Sequence, residues 1–132
     1  AFRTHMVVMP FVEHMDWAYG AADLMISRAG ASTVSEIEVL GMPSILVPSP
    51  NVAEDHQTHN ARALSTRGAA VLVPDAEARE KLVPEALKLI TDKEALHSIS
   101  QRAKEMALRN APEQIVKLIE AAISADRENG RE

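Results

Sequence analysis

Ser27, Arg28, Ala29, Gly30, Ala31, Ser32 and Thr33 leave an apolar run, turn through a glycine flanked by small residues, and enter a segment where Val34, Ile37 and Leu40 recur at helical spacing. Small side chains let a ligand approach the backbone closely. The first N–H groups of the helix that follows have no partner inside it and lie at the positive end of its dipole, so a phosphate or diphosphate is a natural occupant. The hydroxyls of Ser32 and Thr33 add donors there. Spacing alone permits a second reading, in which Thr33 caps the helix and Glu36 bonds back to the Thr33 amide as a capping box. Both readings stand at this point, because a turn of glycine and small residues before a helix is common in α/β proteins.

A second polar stretch runs from Pro48 to Asn60 and opens another helix, which places it on the same rim as Gly30. Gln57 and Asn60 offer paired donors and acceptors suited to vicinal hydroxyls, and His56 can donate or accept according to its tautomer. The plainer alternative is a helix capped by Asp55 with polar surface residues behind it. His56 and His59 stand three apart, but no third convergent ligand is identifiable, so no metal site is expected. Phe11, Val12 and Met15 follow the first apolar run, where a planar base can lie against apolar side chains while backbone groups read its edge. Core packing is the competing role for those three. No nucleophile stands beside a base, no two carboxylates flank a bond, and His14 reads as a surface histidine.

These residues need elements to hold them. Met6–Met9, Asp23–Ser27, Ser44–Val47 and Ala69–Val73 are short apolar runs that read as buried strands, with a short helix around Asp16–Ala22. A helix is expected over residues 32–40, closed by Gly41 and barred from continuing by Pro43, and another over His56–Arg67, closed by Gly68. Leu82, Ala86 and Leu89, then Leu96, Ile99, Ala103 and Met106, then Ile115, Leu118, Ile119 and Ala122 define three closing amphipathic helices. Strands that alternate with helices and lack polar alternation indicate an α/β fold, a parallel sheet covered on both faces. Ligands in such sheets bind beyond the carboxyl ends of the strands, where the polar stretches lie. Residues 126–132 are dominated by charge and are expected to be disordered, leaving residues 1–125 as the folded part.

The chain has 132 residues, 46% of them hydrophobic, which suits a single domain with a real core. Its formal charge of −5 and its lack of basic blocks argue against nucleic acid as a partner. There is no cysteine, hence neither a disulfide nor a thiolate zinc site, and a reducing compartment is allowed. The apolar runs fall far short of the roughly 20 residues needed to cross a bilayer. The sequence begins Ala1-Phe2-Arg3-Thr4-His5, without an initiator methionine or an apolar leader, so a piece of a longer chain is expected.

Taken together, Arg28 to Ile37, then Gly41 to Pro48, then His56-Gln57 and Asn60-Ala61 resemble, in order and spacing, the UDP-N-acetylglucosamine transferases of lipid II synthesis. The resemblance runs from about Phe11 to the last helix. It implies a Rossmann-like sheet belonging to the later part of the C-terminal, donor-binding domain of a GT-B glycosyltransferase, whose two domains face each other across a cleft. By position it puts Glu36 on the donor ribose hydroxyls, Gly30 to Thr33 along the diphosphate, and the Val12 backbone on the uracil with Phe11 and Met15 beside it. The family sets a pair of glutamines on the sugar; Gln57 matches the second, His56 replaces the first, and the loop is one residue longer here. The candidate substrate-binding set is therefore Phe11, Val12, Met15, Arg28, Gly30, Ala31, Ser32, Thr33, Glu36, His56, Gln57 and Asn60, with no catalytic residue and no metal ligand in this chain.

What the resemblance implies further is a donor, UDP-N-acetylglucosamine, and a lipid-linked acceptor that meets the enzyme through an N-terminal domain absent here. No cofactor or divalent ion is implied, the place of action is the cytoplasmic face of the bacterial inner membrane, held peripherally, and this polypeptide alone is expected to be a soluble, inactive piece. In the family's strand order the runs at Met6 and Asp23 are separated by two strands this sequence lacks, and the sheet edges so exposed favour self-association. The alternatives are another UDP-sugar transferase or an epimerase of the same fold, or a non-catalytic donor-binding subunit.

Overall fold

A computed structural model of the chain describes residues 5–51 and 55–129, the side chains of 111–114, 116 and 125–129 excepted. Strands β1 (Met25–Ser27), β2 (Ser44–Leu46) and β3 (Val71–Leu72) pair in parallel in the order β1-β2-β3. Ile26 stands opposite Ile45, and Ile45 opposite Val71. Helix α1 (Met15–Ala21) leads into β1, α2 (Ala31–Leu40) and α3 (His56–Ser65) make the two crossovers, and α4 (Asp75–Ile90) and α5 (Lys93–Asn129) close the chain. The fold is thus the expected α/β arrangement, a parallel sheet flanked by helices.

The central strand is buried throughout, Ser44 included, because both of its faces are covered. Leu46 packs with Ile37 of α2, Ala61 and Leu64 of α3, and Ala103 and Met106 of α5. Ile45 and Val47 point the other way, to Val73, Leu89 and Ile99, with Leu82 and Leu96 alongside. Helix α5 contributes Ile99 to one face and Ala103 and Met106 to the other, so it passes from one layer to the next.

Helix α2 ends as its sequence predicts. Gly41 adopts a left-handed conformation (φ 63°, ψ 39°), and the Met42 amide reaches back to the Ile37 carbonyl at 3.0 Å, a Schellman-type closure. Three expectations are corrected. Met6–Met9 is not a strand: it pairs with neither open edge of the sheet, and Val7 and Val8 are 80% and 91% exposed. Apolar, β-branched residues favour a strand only where a neighbouring ladder can take up their N–H and C=O groups. The three closing helices are two, since α5 continues through Pro112, between Met106 and Ile115; Pro84 likewise lies within α4, a proline costing a helix one bond without ending it here. The tail also departs from expectation, because α5 runs on to Asn129 through residues of good helical propensity; residues 130–132 lie outside the described part.

Candidate functional site

The loops that leave the carboxyl ends of the three strands meet the N-termini of α2, α3 and α4 on one rim. Gly30 is the N-cap of α2, with extended dihedrals (φ −66°, ψ 153°) and no side-chain hydrogen bond to the first turn. Thr33 is therefore the third residue of the helix and not its cap, which rules out the capping box. No acidic residue stands in that first turn, so the positive end of the dipole is not compensated locally. A Cβ built on Gly30 meets nothing within 4 Å, so the space in front of the turn is open. Ala31, Ser32 and Thr33 supply the amides and hydroxyls around it.

Glu36 lies one turn further along α2, beside a cavity of about 670 Å³ between α1 and α2. Met15, Asp16, Tyr19, Ser35 and Val39 share its walls. The Tyr19 hydroxyl donates to Glu36 Oε2 at 2.5 Å, while Oε1 has no hydrogen-bond partner among the described residues. Partial burial, then the hydrogen bond to Glu36 and the charge of that carboxylate, push the Tyr19 phenol up to about 12, so it remains a donor at neutral pH. Tyr19 was missed by sequence reasoning. Its signal was present, since it stands four residues after Met15 on one helix face and is the only tyrosine of the chain.

The other predicted residues divide by what holds them. Arg28 is a strap: its Nη1 lies 2.6 Å from Asp75 Oδ1 and donates to the carbonyls of Val47 and Pro48 at 3.3 and 3.4 Å, joining the ends of β1 and β2 to the start of α4. Gln57 Oε1 accepts from the amides of Ala29 and Ser49 at 3.3 and 3.0 Å, and Asn60 Nδ2 donates to the Ala29 carbonyl at 3.2 Å. These side chains fix the Gly30 turn from behind, with the Gln57 amide nitrogen and the Asn60 oxygen left over. His56 is exposed at the first position of α3, and Asp55 makes no side-chain cap there. Phe11 and Val12 precede α1 and do not line the cavity, and Phe11 is exposed. His14 stacks on Trp17 with ring centroids 3.8 Å apart. Val52 to Glu54 of the second polar loop lie outside the described residues. Among the described residues no three His, Asp or Glu side chains gather as metal ligands, and no helix is long and apolar enough to cross a membrane.

Comparison with known proteins agrees with this geometry. The family model of the glycosyltransferase family 28 C-terminal domain matches residues 2–115. A UDP-N-acetylglucosamine--N-acetylmuramyl-(pentapeptide) pyrophosphoryl-undecaprenol N-acetylglucosamine transferase of Porphyromonas gingivalis is 57% identical over 109 residues, which cover 83% of this chain and 29% of that protein. The protein of the same name from Parabacteroides distasonis is 54% identical over 106 residues, 80% of this chain and 29% of that protein. The crystal structure of Acinetobacter baumannii MurG superposes with a TM-score of 0.72 at 35% identity, over 87% of this chain and 35% of that one. The chain thus spans 29% of the length of these two curated relatives. With a family match over most of its length, a parallel sheet flanked by helices and an open helix N-terminus at the rim, the chain belongs to the glycosyltransferase family 28 C-terminal domain family.

Proposed function

We propose that this chain is the donor-binding part of a transferase that moves N-acetylglucosamine from UDP-N-acetylglucosamine to undecaprenyl-pyrophosphoryl-N-acetylmuramyl-pentapeptide, in peptidoglycan synthesis. The observation that carries this reading is the uncapped N-terminus of α2, faced by open space at Gly30, with a carboxylate one turn on. The names of the relatives supply the donor and acceptor. In this reading Gly30 to Thr33 hold the diphosphate and Glu36 accepts from the ribose hydroxyls. Phe11, Val12 and Met15 approach the base, and His56, the Gln57 amide nitrogen and the Asn60 oxygen face the sugar. Arg28 acts from behind, as the strap that keeps the rim in register.

An acceptor hydroxyl displaces UDP from the anomeric carbon with inversion; the C–O bond to the diphosphate breaks as the bond to the acceptor oxygen forms. Charge then develops on the departing diphosphate. Amides and hydroxyls already aimed at it from the first turn of α2 offset that charge without reorganising, which is where this domain lowers the barrier. Acceptor binding, the catalytic base and the contact with the cytoplasmic face of the membrane belong to the rest of the protein.

The test is Glu36→Ala in the full-length enzyme. Loss of a charge-assisted hydrogen bond to the ribose should raise the donor KM by roughly tenfold or more with a smaller effect on kcat. An unchanged donor KM and kcat/KM would remove Glu36 from the site.

A further inference from the structure

We propose that Tyr19 is a specificity-determining residue of the donor site, forming with Glu36 a two-acceptor clasp for the vicinal hydroxyls of the ribose. The inference rests on the reading of Glu36 given above and extends it to a residue on a different helix. The phenol carries one proton, and the 2.5 Å contact commits it to Glu36 Oε2. Its oxygen lone pairs are then left to accept, and Glu36 Oε1 is also without a hydrogen-bond partner among the described residues. A ribose presents two O–H donors on adjacent carbons, which match a pair of neighbouring acceptors. A carboxylate held at one oxygen is also ordered before the ligand arrives, so less freedom is lost on binding.

The surroundings favour this role over a purely structural one. The Tyr19 ring packs against the buried cluster that contains Ile37 and Leu46, which fixes where the hydroxyl can reach. The hydroxyl and the carboxylate then emerge on the wall of the 670 Å³ cavity, lined mainly by apolar groups such as Met15, Val39 and Met42. Asp16 borders the same cavity but makes no hydrogen bond to either group. A site that offers acceptors in such a setting discriminates against a ligand lacking the matching O–H, because the acceptor is left unpaired.

The experiment uses the full-length protein and its Tyr19→Phe and Glu36→Ala variants, titrated with UDP, 2′-deoxy-UDP and 3′-deoxy-UDP. Phe keeps the ring and its packing, so the fold is retained, which circular dichroism verifies. Tyr19→Phe should weaken UDP roughly tenfold while weakening at least one deoxy nucleotide much less, and should raise the donor KM with kcat little changed. Equal loss for all three nucleotides would make Tyr19 a merely structural neighbour, and no loss for any would leave it without a role. If Glu36→Ala keeps the full preference for UDP over both deoxy nucleotides, the ribose reading of Glu36 fails, and the clasp with it. If Glu36→Ala abolishes the preference and Tyr19→Phe does not, only the Tyr19 proposal fails.

Discussion

The side-chain oxygen of Gln57 accepts from two amides that belong to different loops, Ala29 after β1 and Ser49 after β2. A partly buried amide left without a partner costs about 1–3 kcal/mol, so Gln57→Leu should destabilise the ligand-free protein by that order, whereas Gln57→Glu, which keeps an acceptor, should cost much less. Urea unfolding of the three proteins without nucleotide checks this, and equal stability of the Leu variant would deny the bridge. The same residue shows what a sequence can and cannot say about a site. Gly30 and the turn after it were legible because helix-end chemistry follows from the backbone and needs only local spacing. That Gln57 would spend its oxygen on the Gly30 turn was not legible, because the partner amide is 28 residues away and is brought there only by packing of α3 beside the sheet. The Tyr19–Glu36 contact escaped for the same reason, since it forms only when α1 is laid against α2.

Among the elements, α2 is the one whose two ends were both legible, and its C-terminal end can be tested alone. Gly41 has φ of +63°, and a Cβ there would stand 2.5 Å from Lys104 Cε and 2.9 Å from Ser100 Oγ of α5. Lys104 can move aside; the left-handed backbone cannot be relieved, and it costs an L-residue about 1–2 kcal/mol. Gly41→Ala should therefore lower stability by at least that order without altering the site at the other end of the helix, as a shift in denaturation midpoint with unchanged UDP affinity per folded molecule. Retained stability would mean that the helix can end in another conformation. The helices closed by glycine, α2 and α3, were placed well, while the last two closing helices, defined by apolar periodicity, were not separate. Met6–Met9 has the composition of a strand but no partner in the sheet. The last two helical patterns fused into α5, whose backbone runs on through Pro112 between them, and periodicity does not report where a helix ends.

At the scale of the whole molecule, the association of α5 with α2 determines how the layers are held, and it contains a buried charge. Glu38 is 4% exposed, and Asn110 of α5 donates to both of its carboxylate oxygens at 3.3 and 3.4 Å. Burial raises the Glu38 carboxyl above its ordinary 4.5, and the Asn110 bond, which favours the charged form, offsets this only in part. Glu38 and Asn110 border a cavity of about 540 Å³, separate from the one at Glu36, and Arg67, Arg109 and Lys117 share its walls. The folded-state pKa thus lies above that of the unfolded chain, so between the two values the folded state holds more protons than the unfolded one. Stability contributed by this group is fully present below the unfolded value and is lost as pH rises through the folded one, and at pH 7 the ionised carboxylate is a burden on the fold. Gln at this position resembles the protonated side chain and can still meet Asn110. Glu38→Gln is expected to unfold at a higher temperature than the unsubstituted protein at pH 7, with the gap narrowing on acidification and closing below about pH 4, where Glu38 is protonated in both states. A gap that stays constant from pH 4 to 8 would show that the gain has nothing to do with ionisation. A loss of stability at pH 7 would mean that the cations around the cavity more than compensate the burial, and that the charge is part of what fastens α5 to α2.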